Sequence, residues 1–149
     1  MQLTPLNLPF AHLKLSKQGD SIFVWCVIRK KKLVLTPEEW VRQHLIHYLI
    51  EHKNIPKGNI ASEISIHMQT QHRRCDILVY NSSKQPFLLI ECKAPQISIN
   101  GSAIRQAVHY NNQLSVPFVA VSNGLRHEIF EIDYKSQTHI TLDDFPFFI

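Results

Sequence analysis

Two apolar runs, "CDILVY" (75–80) and "PFLLIECKA" (86–94), flank the polar stretch "NSSKQ" and limit what this chain can fold into more than any other feature. Both runs suit strands, and five polar residues between them suit a turn, so a β-hairpin is expected at this point. Each run nevertheless carries charge: Asp76 in the first, Glu91 and Lys93 in the second. Side chains two apart on a strand share a face, so Glu91 and Lys93 project together while Cys92 points away. Opposed residues in an antiparallel pair have a constant sum of numbers. Pairing Tyr80 with Phe87 across the turn predicts a sum of 167, which also sets Asp76 opposite Glu91 and Cys75 opposite Cys92. The other face, with Cys75, Ile77, Val79, Leu88, Ile90 and Cys92, is then expected to belong to the core.

Upstream, "TPEEWVRQHLIHYLIEH" opens with Thr36 as N-cap, Pro37 at the first helical position, and Glu38 and Glu39 in the first turn. Val41, Leu45, Tyr48 and Leu49 recur at helical spacing and predict its inward face. "IASEISIHM" places Ile60, Ile64, Ile66 and Met68 at even spacing, as a half-buried strand would. After the hairpin, "NGSAIRQAVHYNNQL" predicts a second helix with Ala103, Ile104, Ala107, Val108 and Leu114 buried. "PFVAV" is a short strand, and Asn123-Gly124 a turn into "LRHEIFEID". "SIFVWCVI" and "KLVL" precede all of this as a small antiparallel extension. The expected fold is α/β of the α+β kind, with core order α-β-β-β-α-β and extra strands at both ends. A chain of 149 residues is expected to be one domain: core about 36–125, extensions 1–35 and 126–149.

A hydrophobic fraction of 44% with 19% charged residues excludes a disordered chain. The N-terminus lacks a signal-peptide pattern and no run reaches the roughly 18 apolar residues of a membrane span, so a cytoplasmic protein with no membrane partner is expected. Cys26, Cys75 and Cys92 form no C-x-x-C pair and are expected to be reduced. His44 and His47 lie three apart without a third ligand at recognisable spacing, which argues against zinc. Net charge of +4 is compatible with a polyanionic partner. Arg29-Lys30-Lys31-Lys32 reads either as a solvated turn between strands or as a phosphate contact.

Two carboxylates as close as Asp76 and Glu91 repel each other, and a divalent cation would resolve the conflict. An all-oxygen site with few carboxylates, completed by water and phosphate, suits Mg²⁺ (or Mn²⁺) better than zinc. Such an ion can activate water, and the Lys93 ammonium can orient that water or stabilise developing negative charge. Asp, Glu and Lys on one sheet face are what metal-assisted phosphodiester hydrolysis needs.

The arrangement resembles the PD-(D/E)xK nuclease superfamily, through Asp76 and Glu91-x-Lys93. The stretches "LTPEEWVRQHLIHYLIE", "RRCDILVY", "PFLLIECKAP", "RQAVHYNNQLSVPF" and "SNG" look like the N-terminal nuclease-type domain of type I restriction enzyme R subunits, over about residues 33–125. Cys75 stands where the superfamily has Pro. The resemblance implies a Mg²⁺-dependent DNA endonuclease, with Asp76 and Glu91 as metal ligands and Lys93 assisting the water. It also implies that Gln106 positions substrate or water with support from Tyr110; spacing alone fits polar flanking of the helix equally well. It further implies an acid on the first helix, carried over as Glu39. That residue could instead pair with Arg42, leaving the role to Glu51 or Glu63. Arg73, Arg74, Lys30 and Lys31 are the expected contacts to the DNA backbone. The resemblance implies an ATP-dependent translocase in such R subunits, yet no G-x-x-x-x-G-K-[ST] loop occurs here, so the chain is expected to act alone or with separate motor or methylase subunits. The rival expectation is a nucleic-acid-binding or assembly module of a restriction system that keeps the fold without catalysis.

Overall fold

A computed structural model describes residues 1–67 and 72–149, with side chains for all of these except 66–67, 72–74 and 110–113. Met68, and the side chains of Ile66, Arg73, Arg74 and Tyr110, therefore lie outside the described residues. The order is β1 (Leu15–Gln18), β2 (Ser21–Cys26), β3 (Lys31–Val34), α1 (Pro37–His52), β4 (Ile60–His67), β5 (His72–Tyr80), β6 (Pro86–Cys92), α2 (Gly101–Leu114), β7 (Phe118–Ser122), β8 (His127–Asp133) and β9 (Thr138–Leu142). The first three strands form a small antiparallel sheet and the other six a second sheet in sequential order β4 to β9. Only β6 and β7 pair in parallel, and α2 makes the crossover between them. The mixed α+β fold is the expected one, with β1 as a strand beyond those expected.

The first helix begins as its sequence dictates. Thr36 has extended backbone and its hydroxyl accepts from Glu39 N at 3.1 Å, with Pro37 next. Val41, Leu45, Ile46 and Leu49 of α1 are fully buried against Ile77, Val79, Leu88, Ile90 and Cys92. Tyr48 is half-buried; its hydroxyl donates to Asp144 Oδ1 at 2.8 Å. On the other side of the sheet, Ala107 of α2 packs with Cys75, Leu78, Leu89, Val119 and Val121, and Ala103, Ile104 and Leu114 border that cluster. The large sheet is thus a middle layer between two helices.

The hairpin keeps the expected register in its middle: Ile77, Leu78 and Val79 pair with Ile90, Leu89 and Leu88. At the turn it departs, because Tyr80 pairs with Pro86 rather than Phe87 and a bulge falls between Val79 and Tyr80. Asn81 explains the shift, since its side-chain oxygen accepts from both Ser83 N and Gln85 N and its own N–H donates to Gln85 O. That tight Asx loop draws Pro86 one place nearer than a plain five-residue turn would. A second departure concerns Cys75, which packs on the α2 side, apart from Ile77 and Val79. Face alternation breaks next to Glu63 on β4, which has φ +51 and drops out of the pairing between Ser62↔Ile77 and Ile64↔Cys75. Cys75 and Cys92 consequently belong to different clusters, and all three cysteines are free and buried. Among the described residues no helix is long and apolar enough to cross a membrane.

The turn from β7 to β8 is a four-residue turn, wider than a two-residue hairpin. Asn123 Oδ1 accepts from Leu125 N and Arg126 N, and Gly124 takes φ +81 beneath the N-terminal segment. Gly124 O accepts from Asn7 N at 2.8 Å, and a Cβ on Gly124 would meet Leu6 Cδ2 at 2.7 Å and Val41 Cγ2 at 3.1 Å. Gly124→Ala combines left-handed strain with this clash and should cost about 2 kcal/mol in urea unfolding. An unchanged urea midpoint would show that residues 6–7 do not hold this place in solution.

Candidate active site

The hairpin register carries a chemical consequence. Continuing the Ile77↔Ile90 ladder by one step sets Asp76 level with Glu91, and the β4–β5 register sets Glu63 level with Asp76. Glu63, Asp76 and Glu91 thus lie on the adjacent strands β4, β5 and β6 where the ladder pairing is interrupted or ends, and Arg42 of α1 reaches the first two. Asp76 Oδ2 accepts from Cys92 N at 2.7 Å, which replaces a main-chain ladder bond with a side-chain one. Asp76 Oδ1 accepts from Arg42 Nη2 at 2.7 Å. Glu91 Oε1 receives Lys93 Nζ at 3.3 Å, and Lys93 N donates to Ser122 O at 2.8 Å, so the β6–β7 pairing holds the lysine backbone.

Arg42 is the hub. Its side chain is 5% exposed and contacts four acids: Asp76, Glu38 at 3.0 Å, Glu63 at 3.2 Å, and Glu39. Glu63 also pairs with Arg29 from the turn between β2 and β3, which ties the small sheet to the site. Glu39 is buried and turned toward Arg42 and Gln43, whose Nε2 donates to it at 2.8 Å. Glu38 is the helix acid whose charge acts on Asp76 and Lys93. Glu51 pairs with His47 on an exposed part of α1, outside this cluster. Gln106 is exposed on α2, while the side chain of Tyr110 is outside the described residues. Lys30 and Lys31 are exposed at the β2–β3 turn and the start of β3.

Sequence reasoning did not single out Arg42 as a site residue, although the signal was there. It sits three, four and seven positions before Leu45, Ile46 and Leu49, so a cation lies on the stripe that the helix buries. Glu38 was hidden for a different reason: both acids of the first turn read equally well as helix starters.

The electrostatics show what the cluster lacks. Glu38, Glu39, Glu63, Asp76 and Glu91 face Arg29, Arg42 and Lys93, five carboxylates against three cations. When all are ionised, two negative charges remain. Burial first, and then the Asp76 charge, push the Glu91 carboxyl up to about 7, against a smaller pull from Lys93. Glu38 is raised by the same two causes. A divalent cation would fit this donor set by charge and by ligand type, and Asp76 and Glu91 are the carboxylates that could hold it. Among the described residues no group of three or more His, Cys, Asp or Glu side chains is arranged to hold a metal ion.

The raised Glu91 makes a stability prediction with a definite sign. Its proton is bound more tightly in the folded chain than in the unfolded one, where the group titrates near 4.5. Its contribution is fully present below that value and is lost as pH rises through about 7. Without divalent ions, Glu91→Gln should match wild type near pH 4. At pH 8 it should be more stable by about 2 kcal/mol, a figure reduced for the partial exposure of the side chain. Urea midpoints across this range test it; a difference that stays flat with pH would contradict the carboxylate conflict.

A family described as type I restriction enzyme R protein N terminus (HSDR_N) matches residues 37–146, a span that starts at the first residue of α1. The type I restriction enzyme EcoAI endonuclease subunit of Escherichia coli is 32% identical over 98 residues, covering 63% of this chain and 11% of that protein. A fragment structure described as an HsdR subunit of a type I restriction enzyme from Vibrio vulnificus aligns with 25% identity and a TM-score of 0.43. That alignment covers 59% of this chain and 19% of the other. The chain thus spans a small part of the relatives it matches.

Proposed function

The chain belongs to the type I restriction enzyme R protein N-terminus family, and from that premise we propose that it is a Mg²⁺-dependent (or Mn²⁺-dependent) endonuclease domain that hydrolyses DNA phosphodiester bonds. The observation that carries this reading is the Glu91 carboxyl, pushed up to about 7 by burial and then by the Asp76 charge, with Lys93 Nζ 3.3 Å from it. Asp76 and Glu91 would hold the divalent ion, which when bound supplies Lewis-acid polarisation of a phosphoryl oxygen. Lys93 donates from its ammonium toward the entering water or the non-bridging oxygens and so orients one and neutralises charge on the other. Cys92 N fixes the Asp76 carboxylate from behind, and the Ser122 carbonyl fixes the backbone of Lys93.

Lys30 and Lys31, on the turn that Arg29 anchors to Glu63, contact DNA phosphates from the small sheet, and Arg73 and Arg74 add to that contact. Gln106 and Tyr110 of α2 position substrate or water. In this reading the chain works on DNA in the cytoplasm, alone or with separate motor or methylase subunits. A second reading, DNA binding or assembly without cleavage, is favoured by one feature: both Asp76 oxygens already have protein partners.

Plasmid nicking with Mg²⁺ or Mn²⁺ separates the two. The first reading expects nicking by wild type and none by Asp76→Asn. DNA retention by wild type with no metal-dependent nicking supports the second, and equal nicking by both proteins would refute the site assignment.

A further inference from the structure

The strongest unexplained feature of the site is the position of Arg42. Its side chain is 5% exposed, yet its buried Nε has no hydrogen-bond partner among the described residues, while both terminal nitrogens are crowded with acids. Four carboxylates, rather than the best satisfaction of its own donors, fix where the guanidinium lies. One of the four is Asp76 Oδ1, the oxygen that a divalent ion would need.

We infer that Arg42 is a positioning residue that acts as the internal counter-cation of the site, neutralising Asp76 until a divalent cation replaces it at that oxygen. This rests on the metal-site reading above and deepens it by naming what controls occupancy. When Asp76 Oδ1 passes to the ion, Arg42 keeps Glu38, Glu39 and Glu63 as partners, so release needs no unpaired buried cation. Exchange is therefore a local move of one guanidinium within a ring of acids that remains intact. The two surplus negative charges of the cluster favour the exchange, and the competing arginine lowers the affinity with which it occurs.

The two neighbours of Asp76 then predict opposite effects. Removing the competing cation strengthens metal binding. Glu63 lies on the other side, where its charge draws the guanidinium away from Asp76; neutralising it leaves Arg42 more firmly on Asp76 and weakens metal binding. A purely structural role predicts weaker binding in both variants, because each would loosen the same site.

Calorimetric titration of the intact chain with Mn²⁺, without DNA, reads this directly. Arg42→Gln should bind about tenfold tighter than wild type, and Glu63→Gln several-fold weaker, as loss of one nearby charge of either sign implies. Asp76→Asn serves as the reference for the site itself. Wild-type affinity in Asp76→Asn would overturn the metal-site reading and this inference with it. Loss of binding in Asp76→Asn, with unchanged or weaker binding in Arg42→Gln, would overturn this inference alone. Should Arg42→Gln fail to fold, Arg42→Lys decides, because one ammonium cannot hold Asp76 together with the other acids: tighter binding supports the exchange, and unchanged or weaker binding refutes it.

Discussion

Arg42→Leu is expected to lower the unfolding free energy by about 3–5 kcal/mol in the absence of divalent ions, the range for breaking a buried ion cluster from one side. Leucine matches the apolar stem of the arginine but removes its charge, while the acids it served stay where they are. Glu39 is 5% exposed and would keep only Gln43 as a side-chain donor; Asp76 would keep only Cys92 N. Arg42→Lys should fall between the two, since one ammonium cannot reach acids spread over both ends of a guanidinium. The loss should shrink toward acid pH, where protonated carboxyls need no cation, and Asp76→Asn added to Arg42→Leu should restore part of it. Urea unfolding gives each of these values. A midpoint for Arg42→Leu within error of wild type would mean that the acids are solvated and the cluster is not a buried one.

How far this site was legible from sequence follows from where its information resides. Thr36, Pro37 and the apolar stripe of α1 act locally, and a linear reading finds them because capping and helical spacing are short-range rules. The central hairpin was also readable in its middle, since period-two alternation and a single turn fix which residues face which. It failed at Tyr80, where Asn81 chooses the turn through side-chain hydrogen bonds that composition does not reveal. Cys75 failed for a comparable reason: one left-handed residue on the neighbouring strand, Glu63, breaks alternation, and nothing in β5 itself announces it.

The charge cluster is less local still. Arg42 meets Glu63 and Asp76 only because α1 crosses the sheet near the break in β4, and Arg29 arrives from a separate sheet. Adjacent acids at the start of a helix cannot be ranked from spacing, so Glu38 and Glu39 become distinguishable only once the helix is docked. Strain at Glu63 and an arginine on an apolar stripe are the two local irregularities in this region. Both fall at the proposed site, where departures from regular structure are expected to gather.

Lys93→Ala should reduce Mg²⁺-dependent nicking by at least about a hundredfold, the usual size of losing one charged group aimed at reacting atoms. The effect should appear in the turnover rate more than in the DNA concentration needed for half-maximal rate, because in the proposed mechanism phosphate contacts elsewhere supply binding and Lys93 acts on charge that develops during reaction. Lys93→Arg keeps the charge yet broadens and lengthens it, so partial recovery is expected and full recovery is not. Stability gives an independent check. Lys93 is partly exposed and its pair with Glu91 is 3.3 Å long, so its removal should change the urea midpoint little. The Glu91 carboxyl, deprived of the Lys93 charge that pulls it down, should titrate still higher than about 7. A nicking profile whose acid limb moves upward in a weakly active Lys93 variant would report that change. If Lys93→Ala nicks DNA at the wild-type rate while Asp76→Asn does not, the lysine is a bystander and the chemistry belongs to the carboxylates alone.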